Sequence, residues 1–262
     1  MRYYIFTVKQ VKVEGVCMLF KMLILFILLV AAVDVQAGEL QEWIKAFGMA
    51  VVCHEGGHAM SGEDVGYPVE MEFDLGGPHY IANIQPYQPN TQLLLQFNTN
   101  DKIVIDWNES LKKGIQPATT YEQTKAAEKR AKAASTEIKK EANVWQQYTD
   151  RRVAYIAGAG FVGQQTCESR LKGSLKSKYL ITGAAFYKLG YAAYPTSLQP
   201  GVAMGDIEAF KGTGSMDLAR IALAISGLSD IYRGVYDPDS RWSIGFYRSL
   251  KGQPGLQLAF IF

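Results

Sequence analysis

The chain has 262 residues, of which 48% are hydrophobic and 20% charged, with 25 glycines and 9 prolines. This composition is typical of a globular protein and excludes disordered and collagen-like chains. The formal net charge of +2 lacks the basic excess of nucleic-acid-binding proteins, so we expect no nucleic-acid partner.

The first 37 residues have the pattern of a secretory signal peptide. Lys21 precedes an unbroken apolar run, Met22–Val33, and residues 35–37 (Val-Gln-Ala) place small side chains at a cleavage site before Gly38. The run is also shorter than the roughly 20 residues that span a bilayer. We therefore predict an exported protein, periplasmic or secreted, with a single domain over residues 38–262. The alternative is an uncleaved N-terminal membrane anchor.

Without residues 1–37, the chain has 23 basic and 23 acidic residues and no net charge. This balance does not favour steering toward an acidic partner. Two cysteines remain, Cys53 and Cys167. Because exported proteins meet an oxidising compartment, a disulfide between them is possible.

The first half of the domain is predicted to contain one helix and several short strands. Apolar residues at spacings of three and four predict a helix over Glu39–Met60, ended by the Ser-Gly pair at residues 61–62. Alternating apolar and acidic residues predict a half-buried strand at 69–75, followed by a Gly-Gly-Pro turn. Three more strands are predicted, at His79–Ile84, Gln92–Phe97 and Lys102–Trp107.

The second half is predicted to be mainly helical. Thr119 and Glu122 have the spacing of a capping box, and the Ala-, Lys- and Glu-rich stretch after them predicts a solvated helix. Residues 148–150 are predicted to break it before a second helix. The remaining predicted elements are helices at 151–171, 178–193 and 215–233 and a hairpin of Trp242–Tyr247 with Leu256–Phe262. The predicted fold class is α+β.

Residues 54–58 (His-Glu-Gly-Gly-His) form an H-E-x-x-H motif inside the first predicted helix. Positions i and i+4 share a helix face, so His54 and His58 can bind one metal ion, with Glu55 beside it as general base. A zinc ion lowers the pKa of its bound water to about 7, which makes hydroxide available at neutral pH. The motif predicts zinc-dependent hydrolysis of peptide bonds in a protein or peptide substrate. The alternative is a buried histidine pair without metal.

A catalytic zinc site needs a third protein ligand and an open fourth position. Glu168 is the first candidate, because it shares a helix face with Ala157 and Gly160, and that small-residue face could pack against the two glycines of the motif. Asp206, in the loop before a later helix, is the second candidate. His79 follows the Gly-Gly-Pro turn and fits a strand edge better than a ligand position.

The cysteines give an indirect check on the Glu168 assignment. Cys53 precedes His54 and Cys167 precedes Glu168, so the two thiols would meet if both helices reach one metal. Cα atoms more than about 7 Å apart would exclude a disulfide between them. Cys167 as a metal ligand is a weaker alternative.

Residues 158–163 (Gly-Ala-Gly-Phe-Val-Gly) also match the dinucleotide-binding pattern G-x-G-x-x-G. That interpretation needs an acidic residue about 20 positions later. No Asp or Glu lies between Glu168 and Asp206, and no regular alternation of strands and helices follows. We therefore favour close helix packing over a nicotinamide cofactor for this segment.

The H-E-x-x-H motif resembles that of the zincin metalloproteases. The following residues, 69–78 (Val-Glu-Met-Glu-Phe-Asp-Leu-Gly-Gly-Pro), resemble the site-2 protease family, in which E-x-F-x-x-G-x-G-P follows the motif. The resemblance implies a zincin-like fold. The predicted elements give it an α+β architecture with an active-site helix, a small antiparallel sheet, a mainly helical half and a C-terminal hairpin. The resemblance also implies a zinc cofactor held by His54 and His58, with Glu55 catalytic.

Several features depart from these families. Ser61 and Asp64 stand where metzincins have Gly and His. The proline of the site-2 Ala-Gly-Pro helix is missing after Ala157, and Asp206 lacks the family's Pro-x-x-Asp-Gly context. Site-2 proteases also place the motif in transmembrane helices, whereas no apolar run after residue 37 is long enough to span a bilayer. Gluzincins usually place their sheet before the active-site helix, and here that helix comes first.

A second function remains open from the sequence. The chain could be a non-enzymatic exported envelope or binding protein whose metal is structural or absent. The enzyme interpretation also needs a stabiliser for the oxyanion. Tyr155 and Arg170 are candidates only because they lie near the other site residues in the sequence.

Overall fold

The computed structural model describes residues 37–67, 69–74, 77–82, 84–170, 177–193, 205–237 and 240–260. Apart from Ala37, the predicted signal peptide lies outside the described residues. The described helices are α1 (Ala37–Asp64), α2 (Thr91–Lys112), α3 (Tyr121–Arg170), α4 (Ser177–Ala193) and α5 (Met216–Tyr236), with a short 3₁₀ helix at Glu208–Lys211. The described strands are β1 (Val69–Asp74), β2 (Gly77–Ala82), β3 (Trp242–Arg248) and β4 (Pro254–Phe260).

The architecture is mostly helical with two small antiparallel hairpins, as the α+β class predicted. In the first hairpin Val69 pairs with Ala82, and in the second Trp242 pairs with Phe260. The predicted first helix, the predicted helices at 178–193 and 215–233 and the final hairpin are all present. No helix among the described residues is both long and apolar enough to cross a bilayer.

Contacts divide the chain into two compact units. Unit 1 comprises Met1–Asn83 and Asp150–Phe262, and unit 2 comprises Ile84–Thr149. Helix α3 runs through the boundary, so its first part belongs to unit 2 and its last part to unit 1. The sequence predicted one domain over residues 38–262, and all of the candidate site residues fall in unit 1.

The predicted strands Gln92–Phe97 and Lys102–Trp107 are wrong, because helix α2 covers both. The side chain of Asn90 accepts hydrogen bonds from the backbone N–H groups of Gln92 and Leu93, which caps the helix at its start. Short apolar runs fit a strand and a helix equally well by periodicity, and the cap at Asn90 is the signal that decides between them.

The predicted break at residues 148–150 is also wrong, since α3 continues through it to Arg170. The capping box lies one residue later than predicted. Thr120 donates its backbone N–H to the Gln123 side chain at 2.9 Å, and the Gln123 backbone N–H donates to the Thr120 hydroxyl at 3.2 Å. Further along the same helix, Thr124, Ala127, Ala131 and Ala134 form a buried stripe. The predicted solvated helix is therefore exposed on only part of its surface.

Helix α1 ends at Asp64, four residues after Met60, the predicted last residue of the helix. Gly66 adopts a left-handed φ of +72°, and the N–H groups of Gly66 and Tyr67 donate to the carbonyls of Glu63 and Gly62. This is the Schellman pattern that ends helices. Gly62 has a different role, because a Cβ there would lie 2.6 Å from the Tyr67 carbonyl oxygen. The glycine in the predicted stop therefore serves the return of the chain into β1.

The core of unit 1 forms where the end of α3, the 3₁₀ helix, α5 and β3 meet. Phe161, Phe210, Leu223 and Phe246 are fully buried there. Phe246 packs edge-on against both Phe161 and Phe210, with ring centroids 5.3 and 6.1 Å apart. This core fixes the last part of α3 and the chain just before the 3₁₀ helix, the two segments that meet α1 at the candidate site.

Candidate metal centre

Helix α1 presents both histidines of the motif on its buried face. His54 and His58 are one turn apart and completely shielded from solvent. Their ring centroids lie 4.5 Å apart and the rings are nearly perpendicular. The i, i+4 spacing therefore brings the two imidazoles together, as the sequence predicted.

Asp206 completes a group of three possible metal ligands. Its Oδ2 lies 2.7 Å from His54 Nε2, and its Oδ1 lies 3.4 Å from His58 Nε2. One donor atom from each of the three residues lies within 4.8 Å of the other two, and Asp206 is only 5% exposed. We call these residues the His-His-Asp group. They could hold a metal ion.

A local turn holds Asp206 in place. The Gly205 N–H donates to the Glu208 carboxylate at 2.9 Å, and the Gly205 carbonyl accepts from the Ala209 N–H at 3.2 Å. Ile207, Ala209 and Phe210 then insert into the core of unit 1. The Asp206 carboxylate therefore belongs to a short segment that is fixed by the hydrogen bonds of Gly205 before it and by core packing after it.

The orientation of His58 is fixed by a backbone carbonyl. Its Nδ1 lies 2.8 Å from the carbonyl oxygen of Ile156 on α3. A carbonyl only accepts, so Nδ1 is the donor and Nε2 is directed to the ligand side of the ring. Metal-binding histidines in proteins are commonly held in this way by an outer hydrogen bond.

A glycine of α3 makes room for the two imidazoles. A Cβ at Gly160 would lie 2.5–2.6 Å from atoms of His54 and from Nε2 of His58. Such contacts are far inside van der Waals distance, so any larger residue would displace the ligand atoms. The middle glycine of the Gly-Ala-Gly-Phe-Val-Gly segment is thus part of the site.

The same face of α3 packs closely on α1. A Cβ at Gly57 would lie 2.3 Å from the Ala159 carbonyl oxygen, and one at Gly163 would lie 2.5 Å from the Cys53 carbonyl oxygen. The prediction that this small-residue face packs on the motif is confirmed for Gly57. It is wrong for Gly56, where a Cβ would meet nothing within 4 Å.

A disulfide joins the two helices beside the ligands. Cys53 and Cys167 are bonded, with their Cα atoms 6.1 Å apart. The disulfide hypothesis is confirmed, and the bonded Cys167 is not a metal ligand here. The segment from residue 158 to 163 lies within α3, so the strand and turn of a dinucleotide-binding loop are absent from it.

Glu55 lies beside the His-His-Asp group in a nearly dry environment. It is 5% exposed, and its Oε2 has no hydrogen-bond partner among the described residues. Burial, together with the negative charge of Asp206, raises the pKa of Glu55 to about 7, while His58 acts in the opposite direction. A carboxyl group whose pKa is close to neutral can both accept and release a proton under ordinary conditions.

Burial and mutual interactions shift the pKa values of His54, His58 and Asp206. Burial and the neighbouring His58 lower the pKa of His54 to about 4. Burial alone would lower the pKa of His58, but the Asp206 carboxylate raises it overall. Burial would raise the pKa of Asp206, but the two imidazoles hold it well below its ordinary value. A dication would take the position of these protons, because metal binding displaces protons from its ligands.

Aromatic side chains form the wall next to His54. The ring of Phe161 lies 4.7 Å from the His54 ring, that of Tyr187 4.8 Å and that of Tyr191 5.7 Å. The two tyrosine rings lie 5.1 Å apart, and burial raises both their pKa values well above the ordinary range. Neither tyrosine was predicted from the sequence as a site residue. Their i, i+4 spacing on a predicted helix was the available signal.

The other predicted site residues have different positions. Glu168 lies in the last turn of α3, and its side chain falls outside the described residues, so its role as a ligand stays a prediction. The side chain of Arg170 is likewise outside them. Tyr155 contacts Arg248, whose guanidinium lies 3.5 Å from the ring centre. The backbone of His79 is in β2, paired with Glu72.

No protein-family model, curated protein or solved structure matches this chain. A function for this chain is therefore inferred from the geometry of the His-His-Asp group and its surroundings.

Proposed function

We propose that the protein is an exported zinc-dependent metallopeptidase of zincin type. The observation that carries the proposal is the buried His-His-Asp group with the carboxylate of Glu55 beside it. Two imidazoles and one carboxylate are a donor set that suits zinc, and three protein ligands leave a fourth position for water or substrate. The structure supports Asp206 as the third ligand, while Glu168 remains the alternative.

A bound zinc ion would supply Lewis acidity and lower the pKa of a coordinated water to about 7. The residues of this chain supply the proton transfer. Glu55 accepts a proton as the nucleophile forms and delivers it to the nitrogen of the leaving amine. The Ile156 carbonyl keeps His58 Nε2 directed at the metal position. The rings of Tyr187 and Tyr191 lie close to that of His54, and a hydroxyl of this pair is the candidate hydrogen-bond donor to a developing oxyanion.

The Cys53–Cys167 disulfide supports the proposed export. Disulfides persist in oxidising compartments such as the periplasm and the cell exterior, and they are rare in the cytosol. The proposal includes a periplasmic or secreted location for the domain, with membrane anchoring through residues 1–37 as the alternative. The proposed partner is a protein or peptide substrate.

A second function is favoured by one observation, the burial of the group. His54 and His58 are completely shielded and Asp206 nearly so, and closed sites are typical of structural metals. On this alternative the protein is a non-enzymatic exported binding or envelope protein. The two functions differ in what Glu55 does, because a structural site has no use for a general base.

The first experiment measures zinc per chain by plasma mass spectrometry in wild type, His54→Ala, Asp206→Asn and Glu168→Gln. We expect close to one zinc in wild type and in Glu168→Gln, and near-complete loss in the other two. Zinc lost in Glu168→Gln and kept in Asp206→Asn would make Glu168 the third ligand. No zinc in wild type after incubation with excess metal would overturn the proposal.

The second experiment separates the enzyme from the structural alternative. Cleavage of a mixed peptide library is compared in zinc-loaded wild type, Glu55→Gln and Glu63→Gln, the last a matched control because Glu63 is exposed on the same helix. We expect Glu55→Gln to keep its zinc and lose roughly 10²–10⁴-fold in rate, the usual contribution of a general base. Equal cleavage by wild type and Glu55→Gln would exclude the assigned role. A zinc-loaded wild type that cleaves nothing would favour the structural alternative.

A further inference from the structure

Helix α5 has large apolar side chains on its exposed face. Its buried face is made mostly of small residues, because Gly227 approaches α4 so closely that a Cβ would lie 2.8 Å from the Leu189 side chain. The charged residues of its second half, Asp230 and Arg233, are also buried. The large residues on the opposite face are 40–62% exposed: Leu218, Ile221, Ile225, Leu228, Tyr232 and Val235.

These six residues, which we call the α5 seam, follow a heptad pattern. Their spacings are three, four, three, four and three, so they occupy the a and d positions of two and a half heptads. The buried face of the same helix is wider than the seam, because it also includes adjacent positions such as 222 and 223 or 226 and 227. A narrow a/d stripe with a period of 3.5 residues is the pattern by which one helix pairs with another.

The area of the α5 seam suits a second copy of the chain. Each half-exposed side chain of this size offers on the order of 100 Å², so two copies would bury about 1,200 Å², where standard-size interfaces begin. From Ile221 to Tyr236 no charged residue is exposed on α5, so two seams can meet without burying a charge. A lipid surface fits less well, because helices that lie on membranes carry exposed Lys and Arg along the polar face.

We propose that the α5 seam pairs with the α5 seam of a second copy to form a symmetric dimer. Two identical apolar stripes related by a two-fold axis would form an isologous interface, in which the same patch of both copies is buried. The inference is independent of the proposed metallopeptidase activity, since none of the six residues belongs to the metal centre.

The test is the mass of the full chain in solution, measured by sedimentation equilibrium without detergent. Wild type is expected at twice the chain mass of 29.0 kDa. Leu228→Asp places a charge in the middle of the α5 seam and is expected at the mass of one chain. Leu250→Asp is the matched control, because Leu250 is 83% exposed in the turn between β3 and β4, and it is expected to stay dimeric.

Circular dichroism and an intact Cys53–Cys167 bond check that Leu228→Asp is folded, and Ile221→Asp replaces it if it is not. A monomeric wild type at tens of micromolar would overturn the proposal, as would a folded Leu228→Asp that remains dimeric. Flotation with vesicles of phosphatidylcholine and phosphatidylglycerol tests the lipid alternative. Flotation of a monomeric wild type that Leu228→Asp abolishes would identify the seam as a membrane-binding face instead.

Discussion

Unit 1 buries two clusters of charged or ionisable side chains, and they differ in the ion pairs that their carboxylates form. In the first cluster Lys188 of α4 forms a buried ion pair with Asp230 of α5, and Arg233 lies 3.4 Å from the same carboxylate. In the His-His-Asp group and its neighbour Glu55, by contrast, His54 Nδ1 and Glu55 Oε2 have no hydrogen-bond partner among the described residues. We call the first cluster the Lys-Asp-Arg cluster.

This difference indicates that the two buried clusters have different roles. Opposite charges that pair in the interior hold two helices in one register, and they neutralise each other instead of binding a ligand. Buried polar atoms without partners are rare and need an explanation, such as a metal or a catalytic role. We therefore expect the Lys-Asp-Arg cluster to contribute to stability and, under the proposed function, the His-His-Asp group to bind metal, so substitutions in each should have separable effects.

The largest effect on stability is expected from Asp230→Asn. Removing this carboxylate takes a buried counter-charge from both Lys188 and Arg233, and breaking a buried ion pair typically costs about 3–5 kcal/mol. The free energy of unfolding from urea titration measures the loss, with zinc content expected to stay at the wild-type level in the folded variant. Glu109→Gln, which breaks the exposed pair with Lys113 in unit 2, is the control, with an expected change of less than about 0.5 kcal/mol. A loss below about 1 kcal/mol for Asp230→Asn would contradict the structural role.

A smaller effect on stability, but a larger one on metal, is expected from Gly160→Ala. The new Cβ would press on both imidazoles, and overpacking of this kind costs about 1–3 kcal/mol. We expect most of the bound zinc to be lost, because the ligand nitrogens must move. Gly56→Ala inside the motif is the matched control: its Cβ meets nothing, so it should keep zinc and gain up to about 1 kcal/mol from helix propensity. Full zinc in Gly160→Ala would show that this contact is not limiting.

The smallest effect is expected from Glu55→Gln in metal-free protein, and it depends on pH. The pKa of Glu55 is about 7 in the folded protein against a reference value of 4.5, so the folded state holds the proton more tightly than the unfolded state. The stabilising effect of that proton is present below pH 4.5 and is lost as the pH rises toward 7. Wild type should therefore lose about 1–3 kcal/mol relative to Glu55→Gln between pH 4.5 and 8. A difference that stays constant across this range would mean that Glu55 is not desolvated.

Part of the site could be predicted from the sequence because it is local. The spacing of His54 and His58 places both on one face of any helix, and glycines in a helical segment indicate close packing. The disulfide could be hypothesised because Cys53 and Cys167 each directly precede a candidate metal ligand in the sequence. The third ligand was ranked from the sequence with Glu168 ahead of Asp206. The 152 residues of chain between His54 and Asp206 carry no local signal that this carboxylate meets the histidines.

The errors have a physical cause as well. Helix α2 was mistaken for two strands because short apolar runs have no unique period, and the Asn90 cap was overlooked. The break in α3 was predicted from a polar stretch that also suits a helix, whose Thr149 is in fact buried.

The sequence by itself determined the local chemistry of this protein: two imidazoles and a carboxylate on one turn of helix, and small residues where helices must approach. Only the tertiary structure decided which distant carboxylate meets them, which carbonyl orients His58 and which tyrosines surround His54. The reason is that these contacts depend on how helices pack, and packing is set by the shape of whole surfaces rather than by neighbours in the chain. The α5 seam is a further example. Its heptad spacing can be recognised in the sequence, but only the fold shows that its side chains are exposed.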